Sequence, residues 1–327
     1  MLNEKIRIGG IEIAPGESTT IDVPMASLYT HAPMSLPVQV VSGKRKGPRL
    51  FVCAAIHGDE INGVEIIRRL LRLPSLKNLR GTLLAIPIVN VYGFIGHSRY
   101  LPDRRDLNRS FPGSERGSMA SRLAELFMNE IVDKCDYGID LHTGAVHRDN
   151  LPQIRANLDD PETARIAQAF HVPVLLNSNI RDGSLRQVAA ERGIPILLYE
   201  AGEALRFDEH SIRAGVKGIV AVMRELGMLP ATSRSRKRNE PLVARSSSWV
   251  RASGRGILRA TAALGTRVRK GDTIGVISDP FGQQELEVSA NVAGIIIGRT
   301  NLPLVNEGEG LFHIARFESS RQAENAV

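Results

Sequence analysis

Between residues 48 and 226, short apolar runs alternate with segments of helical spacing. The runs 50–56, 82–89, 137–141, 172–176 and 194–199 are short and almost uniformly apolar, which reads as strands buried on both faces. The segment from Asn62, and segments 119–132, 161–170, 185–192 and 209–226, place apolar residues three and four positions apart, as helices do. This alternation predicts an α/β fold: a mostly parallel mixed sheet with helices on both faces. Pro87 puts the end of its strand near a sheet edge or bulge. Residues 1–47 alternate in places (Ile6 and Ile8, Ile11 and Ile13, Val38 and Val40), as short antiparallel edge strands would.

Beyond residue 248 the pattern changes. Gly254, Gly256, Gly265, Gly271, Gly282, Gly294, Gly298, Gly308 and Gly310 punctuate short β-branched runs, which predicts a small all-β barrel or sandwich. The chain of 327 residues is too long for one small core. The expected division is a catalytic domain over 1–230, a basic linker over 231–248, a β-barrel domain over 249–318 and a tail over 319–327. The net charge of +7 is concentrated late: residues 231–327 hold 14 Lys/Arg against 9 Asp/Glu, clustered at Arg234, Arg236, Lys237 and Arg238. A nucleic-acid surface would interleave such residues with aromatics, and none occurs in this segment before Trp249. A solvated linker and no nucleic-acid partner are therefore expected.

No apolar run reaches the roughly 20 residues of a membrane span, and the N-terminus lacks a basic-then-apolar pattern. No membrane partner is expected. Cys53 and Cys135 lie in or beside apolar runs and make no disulfide framework, so a reduced cytoplasmic protein is expected. A homo-oligomer stays open.

The chemistry collects at strand ends. Ile56-His57-Gly58-Asp59-Glu60 joins the first buried strand to the first helix. On such a turn a His and a carboxylate three positions apart can meet one ion, giving the nitrogen and oxygen that catalytic zinc accepts. Alone, the segment fits equally well a polar turn whose acid caps the helix. Asp140-Leu141-His142-Thr143-Gly144 supplies a second His where another strand leaves the sheet, and open α/β sheets bind ligands outside the carboxyl ends of their strands. His57, Glu60 and His142 together make the two-His, one-carboxylate set of catalytic zinc, with a fourth position open. A lone strand-end His would read as a structural residue; the His57/Glu60 pair reverses that reading.

Glu200 ends the run Leu197-Leu198-Tyr199. There it is either buried and paired, or an acid/base that takes a proton from attacking water and passes it to a leaving amine. A surface-loop acid, as Glu203 would be, fits the apolar run poorly. Arg99, Arg104, Arg105 and Arg109 fall within eleven residues and include Asn108 among them, a pattern suited to clamping an anion or neutralising an oxyanion. A solvated loop accounts as well for Arg104 and Arg105. Asp106 could hold the second nitrogen of a metal-bound His.

These motifs, His57-Gly58-Asp59-Glu60, Arg99-Tyr100, Asp106-Leu107-Asn108-Arg109, Asp140-Leu141-His142 and Glu200 in Tyr-Glu-x-Gly, resemble in order and context the succinylglutamate desuccinylase/aspartoacylase family. The likeness covers about residues 45–230, and that family is a branch of the zinc carboxypeptidase-like fold. It implies one Zn2+ per chain held by His57, Glu60 and His142, with Glu200 as general acid/base. It further implies that Arg99 polarises the oxyanion and that Asn108 and Arg109 hold the substrate carboxylate. Arg186, in Gly183-Ser184-Leu185-Arg186, would stand for a second carboxylate-binding arginine. Members of the family hydrolyse the amide of N-acylated amino acids, so a small N-acyl amino acid is the implied substrate.

The chain also departs from the family. No Tyr follows Tyr199, where relatives carry a late substrate-contacting Tyr, and Arg99 stands nine positions before Asn108, farther than in aspartoacylase itself. These differences leave open the acyl group and the amino acid rather than the hydrolysis. In the C-terminal part, Val268-Arg269-Lys270-Gly271-Asp272 and Ala290-Asn291-Val292-Ala293-Gly294-Ile295-Ile296 resemble the half-repeats of biotinyl/lipoyl domains. The intervening Pro280-Phe281-Gly282-Gln283-Gln284-Glu285 has no Lys to carry a prosthetic group, so this barrel is expected to shape or cover the active-site mouth.

Three functions are ranked from these observations. A zinc amidohydrolase (deacylase) acting on a small N-acyl amino acid comes first, and a metallocarboxypeptidase or other zinc peptide or ester hydrolase second. A non-catalytic metal-binding scaffold comes third; it would need one of His57, Glu60, His142 or Glu200 to be missing, and all four are present.

Overall fold

The computed structural model describes residues 1–27, 30–178, 182–231 and 240–317. The basic cluster Arg234, Arg236, Lys237 and Arg238 and the expected tail 319–327 lie outside the described residues. A short hairpin, β1 (Ile6–Ile8) and β2 (Ile11–Ile13), precedes a long antiparallel pair, β3 (Ser18–Ser27) and β4 (Pro33–Ser42). That pair is longer than the short edge strands expected for residues 1–47, because Ile21, Val23, Leu36, Val38 and Val40 keep alternating inward along it.

Strand and helix then alternate: β5 (Arg45–Ala54), α1 (Asn62–Leu70), β6 (Arg80–Ile86), α2 (Val91–Ile95), α3 (Met119–Glu130) and β7 (Tyr137–Gly144). Next come β8 (Arg148–Ala156), α4 (Pro161–Phe170), β9 (Val174–Asn177), α5 (Leu185–Glu191), β10 (Ile196–Glu203) and α6 (Glu209–Glu225). The C-terminal part is all strand. It comprises β11 (Leu242–Ala244), β12 (Ser246–Arg251), β13 (Gly256–Ala260), β14 (Arg267–Val268), β15 (Thr273–Ser278), β16 (Glu285–Ser289), β17 (Gly294–Thr300), β18 (Leu304–Val305) and β19 (Gly310–Arg316).

Thirteen of these strands form one sheet, ordered β12-β19-β17-β8-β10-β7-β5-β6-β4-β3, with β14 on β17, β9 on β8 and β11 on β9. β5 shows why its centre is sandwiched. Leu50, Val52 and Ala54 join a cluster with Ile66 and Leu70 of α1 and Ile212 and Val222 of α6. Phe51 and Cys53 join another with Leu123 and Phe127 of α3 and Val188 of α5. Side chains alternate across a strand, so a strand apolar at every position needs helices on both sides.

The sheet is mixed rather than mostly parallel as expected, although a run of parallel strands forms its centre. β6, β5, β7 and β10 run parallel, as do β8 with β9 and β9 with β11. Among the described strands, these five parallel pairings stand against seven antiparallel ones in the same sheet. The direction reverses at β8. Only Ala145, Val146 and His147 separate it from β7, far short of the dozen or more residues a parallel crossover needs. β8 is also hidden in the sequence, because Pro152 and the polar Asp149, Asn150, Gln153 and Arg155 mask its pattern.

Two strands outrun their apolar segments. β7 extends to Gly144 and β10 to Glu203, so His142 and Glu200 lie inside strands rather than just beyond them. The C-terminal strands surround a core of Val250, Leu258, Ile274, Ile277, Val288, Ile296 and Phe312. The region is all-β as expected, but its strands are divided between two sheets. β13, β15, β16 and β18 form a four-stranded sheet, whereas β12, β19 and β17 continue the large sheet through β8. No helix among the described residues is long and apolar enough to cross a membrane.

Gly138 on β7 pairs with Phe51 on β5, and a Cβ at Gly138 would lie 2.2 Å from the Phe51 ring. That ring meets Phe127 edge-on at 6.1 Å and has little room to move. Gly138→Val should therefore lower stability by about 1–3 kcal/mol, measured as an earlier denaturant midpoint. An unchanged midpoint would show that the Phe51 ring is not confined as described.

Candidate metal centre and its cavity

β5 ends at Ala54, and Ala55 turns the chain with a left-handed φ of 53°. The segment from Ile56 to Ile61 then crosses to α1. Gly58 sits so close to α2 that a Cβ there would lie 2.0 Å from the Gly93 carbonyl carbon. The cap position of α1 is Ile61, with no side-chain cap, so neither Asp59 nor Glu60 serves as a helix cap. Glu60 instead faces two imidazoles. Its Oε1 lies 2.7 Å from His57 Nδ1 and its Oε2 2.8 Å from His142 Nδ1, while the Thr143 backbone N–H donates to Oε2 at 3.0 Å. All three side chains are buried.

The outer nitrogens are held as well. His57 Nε2 lies 3.1 Å from Asp106 Oδ1, and His142 Nε2 lies 2.8 Å from Asp140 Oδ2. Each ring therefore has a carboxylate oxygen at both nitrogens, whereas a neutral imidazole carries only one N–H. Without a cation, both rings need a second proton. A divalent ion held by His57, Glu60 and His142 would bring the same two positive charges, with Asp106 and Asp140 still orienting the imidazoles. One ligand atom from each of His57, Glu60 and His142 lies within 4.8 Å of the others, so this set could hold a metal ion.

The electrostatics agree with that fit. Burial opposes charge on Glu60, yet His57 and His142 hold its carboxyl well below the usual range. Burial likewise opposes charge on His57 and His142, but Glu60, Asp106 and Asp140 outweigh it and raise both imidazoles. Arg99 adds a cation: Nη1 donates to Glu60 Oε1 at 3.2 Å and Nη2 to Asp106 Oδ2 at 3.0 Å.

A cavity of about 610 Å3 opens over this cluster, lined by His57, Glu60, His142, Arg99 and Glu200. Asn108, Arg109 and Arg186 line it too, with Asp106 behind His57, whereas Arg104 and Arg105 are exposed and do not line it. Glu200 stands beside His142 because β10 pairs with β7 in parallel and in that register. One Glu200 oxygen, Oε2, accepts from Asn150 Nδ2 at 2.7 Å and lies 2.9 Å from Arg155 Nη2. Asn108 also supports the fold, since its Oδ1 accepts from the Leu185 N–H at 3.0 Å, at the start of α5. Its main-chain oxygen accepts from Arg109 Nη1. Arg186 is buried, and its Nη1 donates to Ser178 Oγ at 2.7 Å.

Sequence reasoning missed several residues of the cavity region. Asp140 was readable, since positions two apart on a strand share a face and it precedes His142 by two. Asn150 and Arg155 were not, because β8 was not recognised. Trp249 and His313 come from β12 and β19, whose pairing sets them opposite each other, with rings stacked 4.5 Å apart at 6°. Arg148 lies over Trp249, 4.9 Å from the ring centre, and all three line the cavity.

Residues 46–226 match the model of the succinylglutamate desuccinylase/aspartoacylase catalytic domain, more than half of the chain. The N-alpha-acetyl-L-2,4-diaminobutyric acid deacetylase of Halomonas elongata is 27% identical over 299 residues, covering 87% of this chain and 86% of that protein. Among solved structures, a succinylglutamate desuccinylase/aspartoacylase from Rhodobacter sphaeroides is 25% identical, with a TM-score of 0.80 over 91% of this chain and 96% of that one. The product-bound ectoine utilization protein EutE (DoeB) from Ruegeria pomeroyi shares the fold, at 24% identity and a TM-score of 0.81 over 92% and 95% of the two chains.

Asn108→Ala would leave the buried Leu185 N–H without its acceptor. We expect a loss of about 1–3 kcal/mol of stability, measured by chemical denaturation without any substrate. A variant as stable as the parent would show that the Asn108 contact is not needed to start α5.

Proposed function

The chain belongs to the succinylglutamate desuccinylase/aspartoacylase family, and from that membership we propose that it is a zinc-dependent deacylase that hydrolyses the amide of a small N-acyl amino acid. The observation that carries this reading is the meeting of His57, Glu60 and His142 with Glu200 in one arginine-lined cavity. The relatives' names, desuccinylase, aspartoacylase and deacetylase, support amide hydrolysis.

His57, Glu60 and His142 would hold the zinc ion, which when bound supplies Lewis-acid polarisation to the carbonyl and to the attacking water. Asp106 and Asp140 orient the two imidazoles. Glu200 accepts a proton from the water as its oxygen adds to the carbonyl carbon, then gives that proton to the amine nitrogen as the C–N bond breaks. The products are a carboxylate and a free amine. Arg99, already drawn to the carboxylates of the centre, would stabilise charge that develops on the carbonyl oxygen. Arg109, with Asn108 and Arg186, would hold the substrate's carboxylate, for which a planar guanidinium is the matching fork.

The cavity volume lies in the range of small-molecule sites, and Arg148, Trp249 and His313 line it as well. A cavity of that size suits a small substrate. Cys53 and Cys135 are buried free thiols, in keeping with the reduced cytoplasmic setting proposed here.

Zinc-loaded protein incubated with a panel of N-acetyl and N-succinyl amino acids should release amine; no release from any member would overturn the reading, and trimming of peptide ends instead would favour a peptidase. His57→Ala and His142→Ala should lose the metal. Glu200→Gln should keep it while turnover falls at least a hundredfold. Metal analysis finding Glu200→Gln as empty as His142→Ala would make Glu200 a ligand.

Amidating the substrate carboxylate should lower kcat/KM about tenfold to a hundredfold, the worth of a hydrogen bond to a charged group. Arg109→Lys should lose a comparable amount, and the two losses should not add, since they remove one interaction. Equal turnover of the free acid and its amide by the parent protein would rule out the clamp.

A further inference from the structure

Glu200 can accept a proton only if one of its oxygens is free and aimed into the cavity, and a glutamate side chain alone does not ensure that. Both polar neighbours of its carboxylate, Asn150 Nδ2 and Arg155 Nη2, converge on Oε2, and among the described residues no protein group hydrogen-bonds to Oε1. The two neighbours come from β8, the antiparallel partner of β10. Arg155 stands opposite Leu198 and Asn150 opposite Gly202, two positions to either side of Glu200. The carboxylate is thus gripped diagonally from both directions along the strand. Folding alone does not explain the grip, for Arg155 Nε is buried with no hydrogen-bond partner, an arrangement that costs stability.

The C-terminal strands take part. Gly298 on β17 pairs with Asn150, and a Cβ at Gly298 would lie 2.7 Å from Asn150 Oδ1. This close approach places the amide oxygen against β17 while the amide nitrogen meets Glu200.

We propose that Asn150 and Arg155 are positioning residues for Glu200, holding Oε2 so that Oε1 is presented to the reacting water, and that β17 braces this grip through Gly298. The proposal rests on the deacylase reading for the role of Glu200, but not for the grip itself.

Kinetics and carboxylate NMR of the full-length zinc protein test it. Arg155→Ala and Asn150→Ala should each lower kcat about tenfold to a hundredfold, with KM within about twofold and zinc content unchanged. Gly298→Ala would meet Asn150 Oδ1 at 2.7 Å first and the His313 Cβ at 3.3 Å second, and should lower kcat in the same sense. Added guanidinium ion should restore part of the Arg155→Ala activity, and in a Glu200→Gln background loss of Arg155 should bring no further fall. A rise in KM at unchanged kcat would make Arg155 a substrate binder and overturn the proposal, as would additive losses with Glu200→Gln.

The Glu200 side-chain carboxyl 13C resonance, identified by its absence in Glu200→Gln, should move in Arg155→Ala, Asn150→Ala and Gly298→Ala. If either alanine variant of β8 fails to fold, Arg155→Lys and Gly298→Ala provide the same readouts. A shifted resonance with no amide hydrolysis by the parent protein would sink the deacylase reading and leave the positioning intact. Normal hydrolysis with an unmoved resonance would do the reverse.

Discussion

The parallel register of β5, β7 and β10 is the constraint on which the site depends. Parallel strands deliver their carboxyl ends to one edge of the sheet, so the loop after β5 and the last residues of β7 and β10 emerge together. Within that edge the pairing of Glu200 with His142 sets the acid/base candidate beside the cluster. A slip of one residue in β10 would turn Glu200 into the opposite face, because side chains alternate along a strand. The register is held where both faces are buried, with Leu50, Val52 and Ala54 against α1 and α6 and Phe51 and Cys53 against α3 and α5. Packing that has no chemical role thus sets the positions of groups that do.

Charge balance is the second requirement. Glu60, Asp106 and Asp140 lie in or against a buried pocket with two imidazoles and one guanidinium. Buried carboxylates without partners are expensive, so the pocket is stable only when positive charge is supplied in matching amount. The geometry directs that charge to the space between His57, Glu60 and His142. A cation held by those three residues would supply that charge.

The C-terminal strands are part of the same construction. Through β17 on β8 they extend the sheet that bears the site, and through Trp249 and His313 they line its cavity. A stack of Arg148, Trp249 and His313 gives that wall a rigid planar surface. The C-terminal region therefore contributes Trp249 and His313 to the cavity wall, and its Gly298 pairs with Asn150, which donates to Glu200.

Local pattern by itself determined a good deal: most of the buried strands and helices from 48 to 226, the strand-to-helix turn bearing His57 and Glu60, and the strands that carry His142 and Glu200 near their carboxyl ends. These follow from apolar periodicity and short spacings, which are properties of neighbouring residues. Residue type suggested that Asp106 could hold a histidine but not which one, and Asp140 could have been read, at two residues from His142. What tertiary structure alone decided is the set of contacts between distant segments. β8 has no clean alternation, yet its place between β10 and β17 brings Asn150 and Arg155 onto Glu200. Trp249 and His313 reach the cavity only through the pairing of β12 with β19. The apparent break before the all-β region gave no hint that its strands would continue the large sheet. Hydrogen bonding between strands is made by backbone groups common to every residue, so side-chain pattern marks which segments are strands but leaves open which of them pair.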